Sequence, residues 1–131
     1  MEYSQRIVSA NSAKALTRKI NFKKTVLTYV LWDRTTEEPR PIYVGTAKSQ
    51  GRIDNHARKA HGGTTLTRKS GHIEFATYVE RQAKINGPEW LGFSFHQHDS
   101  FESAKITETA LIRDWGLRKH GGKLFNRRLA G

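Results

Sequence analysis

Apolar positions along the chain follow two periods. Residues 25–32 are rich in Val, Leu, Thr and Tyr and predict a strand. Residues 33–41 form a polar turn, and Ile42, Tyr43 and Val44 predict a second strand that Gly45 ends. The two strands read as an antiparallel hairpin. Before them, Asn11 or Ser12 is placed to cap a short basic helix running through Ile20. After them, residues 52–61 predict a helix closed by Gly62 and Gly63. Residues 73–83 fit both periods. Ile73, Phe75, Thr77 and Val79 alternate as in a strand, while Ile73, Ala76, Val79 and Ala83 fall on one helical face. We favour the helix. Asn86, Gly87 and Pro88 make a break, and residues 90–96 predict a third strand. Asp99 or Ser100 opens a helix reaching Trp115, with Glu102 placed for a capping box.

This order predicts an α+β fold: a small antiparallel sheet of about three strands flanked by helices. It predicts one domain over residues 1–131, with a basic N-terminal extension over about residues 1–24. The longest apolar run, residues 26–32, is far short of the ~20 residues of a membrane helix. The first residues lack an apolar signal segment. Both observations point to a cytoplasmic protein. Cys is absent from the 131 residues, which excludes disulfides, a cysteine nucleophile and Cys-rich zinc sites.

Charge adds a partner class. There are 23 Lys and Arg against 12 Asp and Glu, a net charge of +11, and such an excess suits a polyanion. Lys14, Lys19, Lys23, Lys24, Lys59, Arg68 and Lys69 are candidate phosphate contacts, giving salt-dependent affinity for nucleic acid. Gly62-Gly63 and Gly121-Gly122 suit either backbone approach to a phosphate or plain turns.

Three constellations carry candidate chemistry. In the helix after Ser100, Phe101, Ala104, Leu111 and Trp115 share an apolar face, and Glu108 sits in its middle. A carboxylate facing a core needs a partner, either an Arg or a divalent cation such as Mg²⁺. Arg52 and His56 are four residues apart and project from one helical face, a guanidinium for phosphate beside an imidazole. Tyr29 and Tyr43 lie on paired strands, and nearby cations would lower a phenol pKa. His96 and His98 lie on one strand face as a possible metal pair without a third ligand. No Walker A spacing is present.

Taken in order, these residues resemble the GIY-YIG nuclease superfamily. Leu27-Thr28-Tyr29 is similar to its first motif, with Leu and Thr in place of Gly and Ile. Ile42-Tyr43-Val44-Gly45 resembles the second. Arg52 and His56 resemble the Arg-x-x-x-His branch found in some restriction and phage endonucleases. Glu108 and Asn126 resemble the family glutamate and late asparagine. The resemblance runs from Tyr29 to Asn126 and leaves residues 61–88 unassigned.

The resemblance implies divalent-metal-dependent hydrolysis of DNA phosphodiesters, with RNA a weaker candidate. Glu108 would hold one Mg²⁺ or Mn²⁺ and Arg52 would clamp the phosphate. Tyr29 would act as base or position the water, with His56 assisting. Tyr43 would orient phosphate or water, while Gly45 and Asn126 would support the geometry. A monomer would nick, and a homodimer would cut both strands. The competing reading is a non-catalytic nucleic-acid-binding module on the same fold, and a weaker one is a structural basic protein.

Overall fold

The computed structural model describes residues 6–127. The first five residues of the basic extension, and residues 128–131, lie outside them. The elements are β1 (Val8–Ser9), α1 (Ala10–Thr17), β2 (Val26–Asp33), β3 (Arg40–Ala47), α2 (Gln50–Ala57), α3 (Thr65–Lys69), α4 (Ile73–Asn86), β4 (Leu91–His98) and α5 (Phe101–Trp115). The strands form one antiparallel sheet in the order β1-β4-β2-β3.

The sheet has four strands rather than about three. The added strand, β1, pairs Val8 with Phe93 and Ser9 with Gly92. Two residues are too few for alternation to register in the sequence, so the strand exists through its partner. The N-terminal segment is therefore built into the fold rather than appended to it. Ser9 caps α1 by accepting from the Ser12 amide at 3.2 Å, and α1 packs on α2 and β4.

Gly45 does not end the second strand, which continues to Ala47. It pairs with Tyr29 in the middle of the ladder. The ambiguous segment is a helix, α4, burying Phe75, Ala76, Tyr78 and Val79, and ending at Gly87. On α5 the cap is Ser100, whose hydroxyl accepts from the Ser103 amide at 3.1 Å, so Glu102 is not the third helical residue a capping box requires. Phe101 also leaves the core face: its ring is exposed beneath the Lys48 ammonium, 4.0 Å from the centroid. No helix among the described residues is long and apolar enough to cross a membrane.

Strand alternation divides the core. Leu27, Tyr29 and Leu31 of β2 face a cluster that includes Ile53, Phe75, Val79 and Trp90. Val30 of β2 and Val44 of β3 face a second cluster with Leu111 and Ile112 of α5. Helices α2 and α4 thus cover one face and α5 the other.

A buried carboxylate ties α4 to the hairpin. Asp33 is 0% exposed and collects donors from the Thr35 amide and hydroxyl (2.9 and 2.6 Å), Gln82 (2.9 Å), Arg40 (3.2 Å) and the Tyr78 hydroxyl. Burial pushes its pKa up, but the hydrogen bonds from Thr35, Tyr78 and Gln82 outweigh that and hold it below the usual value.

Every neighbour of Asp33 is a donor, so the amide of Asp33→Asn meets at least one of them donor to donor. We expect this variant to lose about 2–3 kcal/mol in urea denaturation at pH 7. Because the folded pKa is depressed, Asp33 contributes its stability above the unfolded value of about 3.9 and loses it as pH falls through the folded value. The wild-type midpoint should therefore drop more steeply below about pH 4 than that of the variant.

Candidate active site

The site forms where Tyr29 crosses β3. A Cβ on Gly45 would fall 2.2 Å from the Tyr29 hydroxyl oxygen, so the Tyr29 ring lies directly against the Gly45 backbone. The hydroxyl then reaches Nε2 of His56 at 2.7 Å. Tyr43, two residues before Gly45, stacks on Phe75 of α4 with ring centroids 5.3 Å apart. Its ring lies 6.5 Å from that of Tyr29 and 5.6 Å from that of His56. Arg52, one helical turn before His56, is exposed and lines a cavity of about 230 Å³ with Tyr43, Asn55 and His56. Four of the residues expected from sequence are therefore brought together on the α2 face.

Besides Lys59, the cavity's remaining wall comes from the segment the sequence left unassigned. Leu66, Thr67, Ser70 and His72 line it from α3 and the turn after it. His72 anchors that turn by donating from Nε2 to the Phe125 carbonyl at 2.7 Å. A larger cleft of about 730 Å³ opens between α1 and β4, but among the described residues its lining holds neither a carboxylate nor an imidazole.

Glu108 approaches from the opposite face. It is 1% exposed, and its carboxylate accepts from the Thr46 hydroxyl at 2.9 Å and the Lys105 ammonium at 3.2 Å. Thr46 follows Gly45 on β3, which is the sheet edge, and the Glu108 charge is felt at both Tyr29 and Tyr43. The sequence alternatives of an Arg or a cation are thus met in part by a lysine. It lies three residues earlier on the same helix, a spacing that was readable.

Asn126 closes the edge. Its side chain accepts from the Val44 amide at 2.9 Å and donates to the Val44 carbonyl at 2.7 Å. One amide side chain satisfies both backbone groups between Tyr43 and Gly45, which holds the two motif residues in place.

Electrostatics depart from the sequence expectation. Burial raises the Tyr29 pKa well above the phenol value, with added repulsion from Tyr43, and the Arg52 guanidinium opposes without reversing it. Burial likewise raises that of Tyr43. His56 is pushed well below its usual value by burial, then by the Lys59 and Arg52 charges.

The candidate phosphate contacts divide. Lys19, Lys23, Lys24 and Lys69 are exposed. Lys14 is half-buried in a groove between α1 and α2, which Arg18, Arg58 and His61 also line. Arg68 is exposed but is already paired with Glu80 at 2.6 Å. Lys59 is 2% exposed and lines the site cavity with Arg52, its Nζ 3.2 Å from Nδ1 of His56. The His96 and His98 rings are 5.6 Å apart, but His98 uses both nitrogens on Thr28 (3.2 Å) and Ser103 (2.9 Å). Among the described residues no group of three or more metal-ligating side chains is present. Gly122 packs on the Gly116 backbone, so Gly121-Gly122 is a packing turn.

Gly45→Ala should destabilise the protein by about 1–3 kcal/mol in urea denaturation, because the new methyl overlaps the Tyr29 ring. In a Tyr29→Ala background the same substitution should cost much less, a coupling readable in a double-mutant cycle.

Compared with known proteins, the chain is matched by no family model, no curated protein and no solved structure.

Proposed function

We propose that this chain is a divalent-metal-dependent endonuclease that hydrolyses DNA phosphodiester bonds. The observation that carries the reading is the packing of Tyr29 over Gly45 onto His56, with Tyr43 and Arg52 beside it on one small cavity. A phenol, an imidazole and an open guanidinium so arranged suit phosphoryl chemistry better than they suit core packing. The GIY-YIG resemblance accounts for the same residues in the same order, and the +11 charge suits the substrate.

In this reading Arg52 grips a non-bridging oxygen of the scissile phosphate and stabilises charge in the transition state. Tyr29 and Tyr43 orient the attacking water, whose proton passes to bulk water. Asn126 holds the β3 backbone beneath both phenols. Glu108 would be the protein ligand holding Mg²⁺ or Mn²⁺. The Lys105 ammonium sits on the same carboxylate, which already faces a positive partner. When bound, the cation supplies Lewis-acid stabilisation of the leaving oxygen.

The Lys105–Glu108 pair is also what a non-catalytic binding module would keep, since it neutralises a carboxylate that would repel phosphate. Supercoiled plasmid separates the two readings. The wild type should nick or linearise it in Mg²⁺ or Mn²⁺ and not in EDTA. Glu108→Gln should abolish cleavage while still shifting the plasmid on a gel. Arg52→Ala should slow cleavage about 10²–10³-fold with a folded circular dichroism spectrum. A wild type that shifts plasmid without cutting it in either metal would leave the binding module as the better account.

A further inference from the structure

Lys59 is the one basic side chain expected at the surface that the fold buries against the site. It lies in the turn directly after α2, three residues past His56. Its Nζ is 3.2 Å from His56 Nδ1 and 5.9 Å from the centre of the Phe75 ring, whose face favours a cation. The Trp90 indole fixes the backbone there by donating to the Lys59 carbonyl at 3.3 Å. This amine sits in the wall of the site cavity, little exposed, with Nζ on the far nitrogen of the imidazole that holds Tyr29.

The donor inventory sets the direction of these bonds. An ammonium has three protons and no acceptor, so His56 Nδ1 must offer its lone pair. A neutral imidazole carries one proton, which then resides on Nε2 and is donated to the Tyr29 oxygen 2.7 Å away. We propose that Lys59 is a positioning residue that locks His56 in the Nε2–H tautomer, making the imidazole a fixed donor to Tyr29 rather than an acceptor of its proton. Moving the Tyr29 proton onto His56 would create an imidazolium 3.2 Å from the ammonium, so the pair keeps Tyr29 a phenol and its oxygen a fixed acceptor. The Nε2–H donation fixes where the Tyr29 oxygen sits as it orients the water.

The charges around the triad agree. Arg52 from α2 and Lys59 both disfavour a second proton on His56. Burial and Arg52 lower the Lys59 pKa to about 8, which leaves it mainly an ammonium at neutral pH. From the other elements Tyr29 and Tyr43 face the ring, His72 enters from the turn before α4, and Glu108 acts on the two phenols from α5.

The tautomer rests on the Lys59–His56–Tyr29 geometry with Lys59 as the ammonium, whereas its effect on cleavage rests on the proposed endonuclease activity. The test therefore has two readouts. The first is a long-range ¹H–¹⁵N correlation spectrum of the histidine rings at pH 7. His56 should show a protonated Nε2 and an unprotonated Nδ1 in the wild type and in Lys59→Arg, which keeps a donor. In Lys59→Met the Nδ1–H form should appear. An Nδ1–H ring in the wild type overturns the proposal, and so does an unchanged ring in a folded Lys59→Met. If Lys59→Met does not fold, the wild-type spectrum still decides. The second readout is plasmid cleavage. Lys59→Met should lower the single-turnover rate at least about tenfold with unchanged DNA affinity, and Lys59→Arg should recover part of the loss. A tautomer change without a rate change refutes the positioning role. A wild type inactive on DNA refutes the endonuclease reading and leaves the tautomer measurement intact.

Discussion

The site depends on one close approach, the Tyr29 ring lying on the bare backbone of Gly45. Strand β2 is central, and its Tyr29 is a core side chain. The missing Cβ on the neighbouring strand lets the buried ring lie across β3, so that its hydroxyl meets His56 of α2. That path sets where His56 must stand, and it brings Tyr43 and Arg52 around the same cavity. Asn126 maintains the arrangement from outside, because an unpaired sheet edge at Val44 would otherwise be free to bend or slip.

Four acidic residues are tied into the fold by donors from elsewhere in the chain. Asp33 holds α4 to the hairpin, Glu80 is bound by Arg68, Glu89 by Arg34, and Glu108 by Lys105 and Thr46. Each of these carboxylates has a positional task. Each ion pair removes one base with one acid, so the excess of 23 Lys and Arg over 12 Asp and Glu is left undiminished.

Within the site the balance is different. The buried phenols resist ionisation and the buried imidazole resists protonation, so the groups rest in their neutral forms. Low exposure is the common cause, and it makes each neighbouring charge count. The ammonium of Lys59 and the guanidinium of Arg52 act on a ring that water does not screen.

The amino-acid sequence by itself determined the local elements and the residue types. Apolar periodicity placed the hairpin, β4 and α5, since a period of two or of 3.6 survives any tertiary arrangement, whereas the α4 segment fitted both periods. Spacing put Arg52 and His56 on one helical face and Glu108 amid apolar neighbours. The motif order drew Tyr29, Tyr43, Gly45 and Asn126 into one resemblance. What periodicity could not express was pairing at a distance. Strand β1 is two residues long and exists only against β4, and residues 64–72 wall the cavity only because His72 reaches Phe125. The fate of Lys59 was equally hidden, because a lysine in a basic stretch reads as surface. Only the packing of α4 and Trp90 over that turn buries it, and burial converts a solvated charge into a hydrogen-bond donor with a single direction.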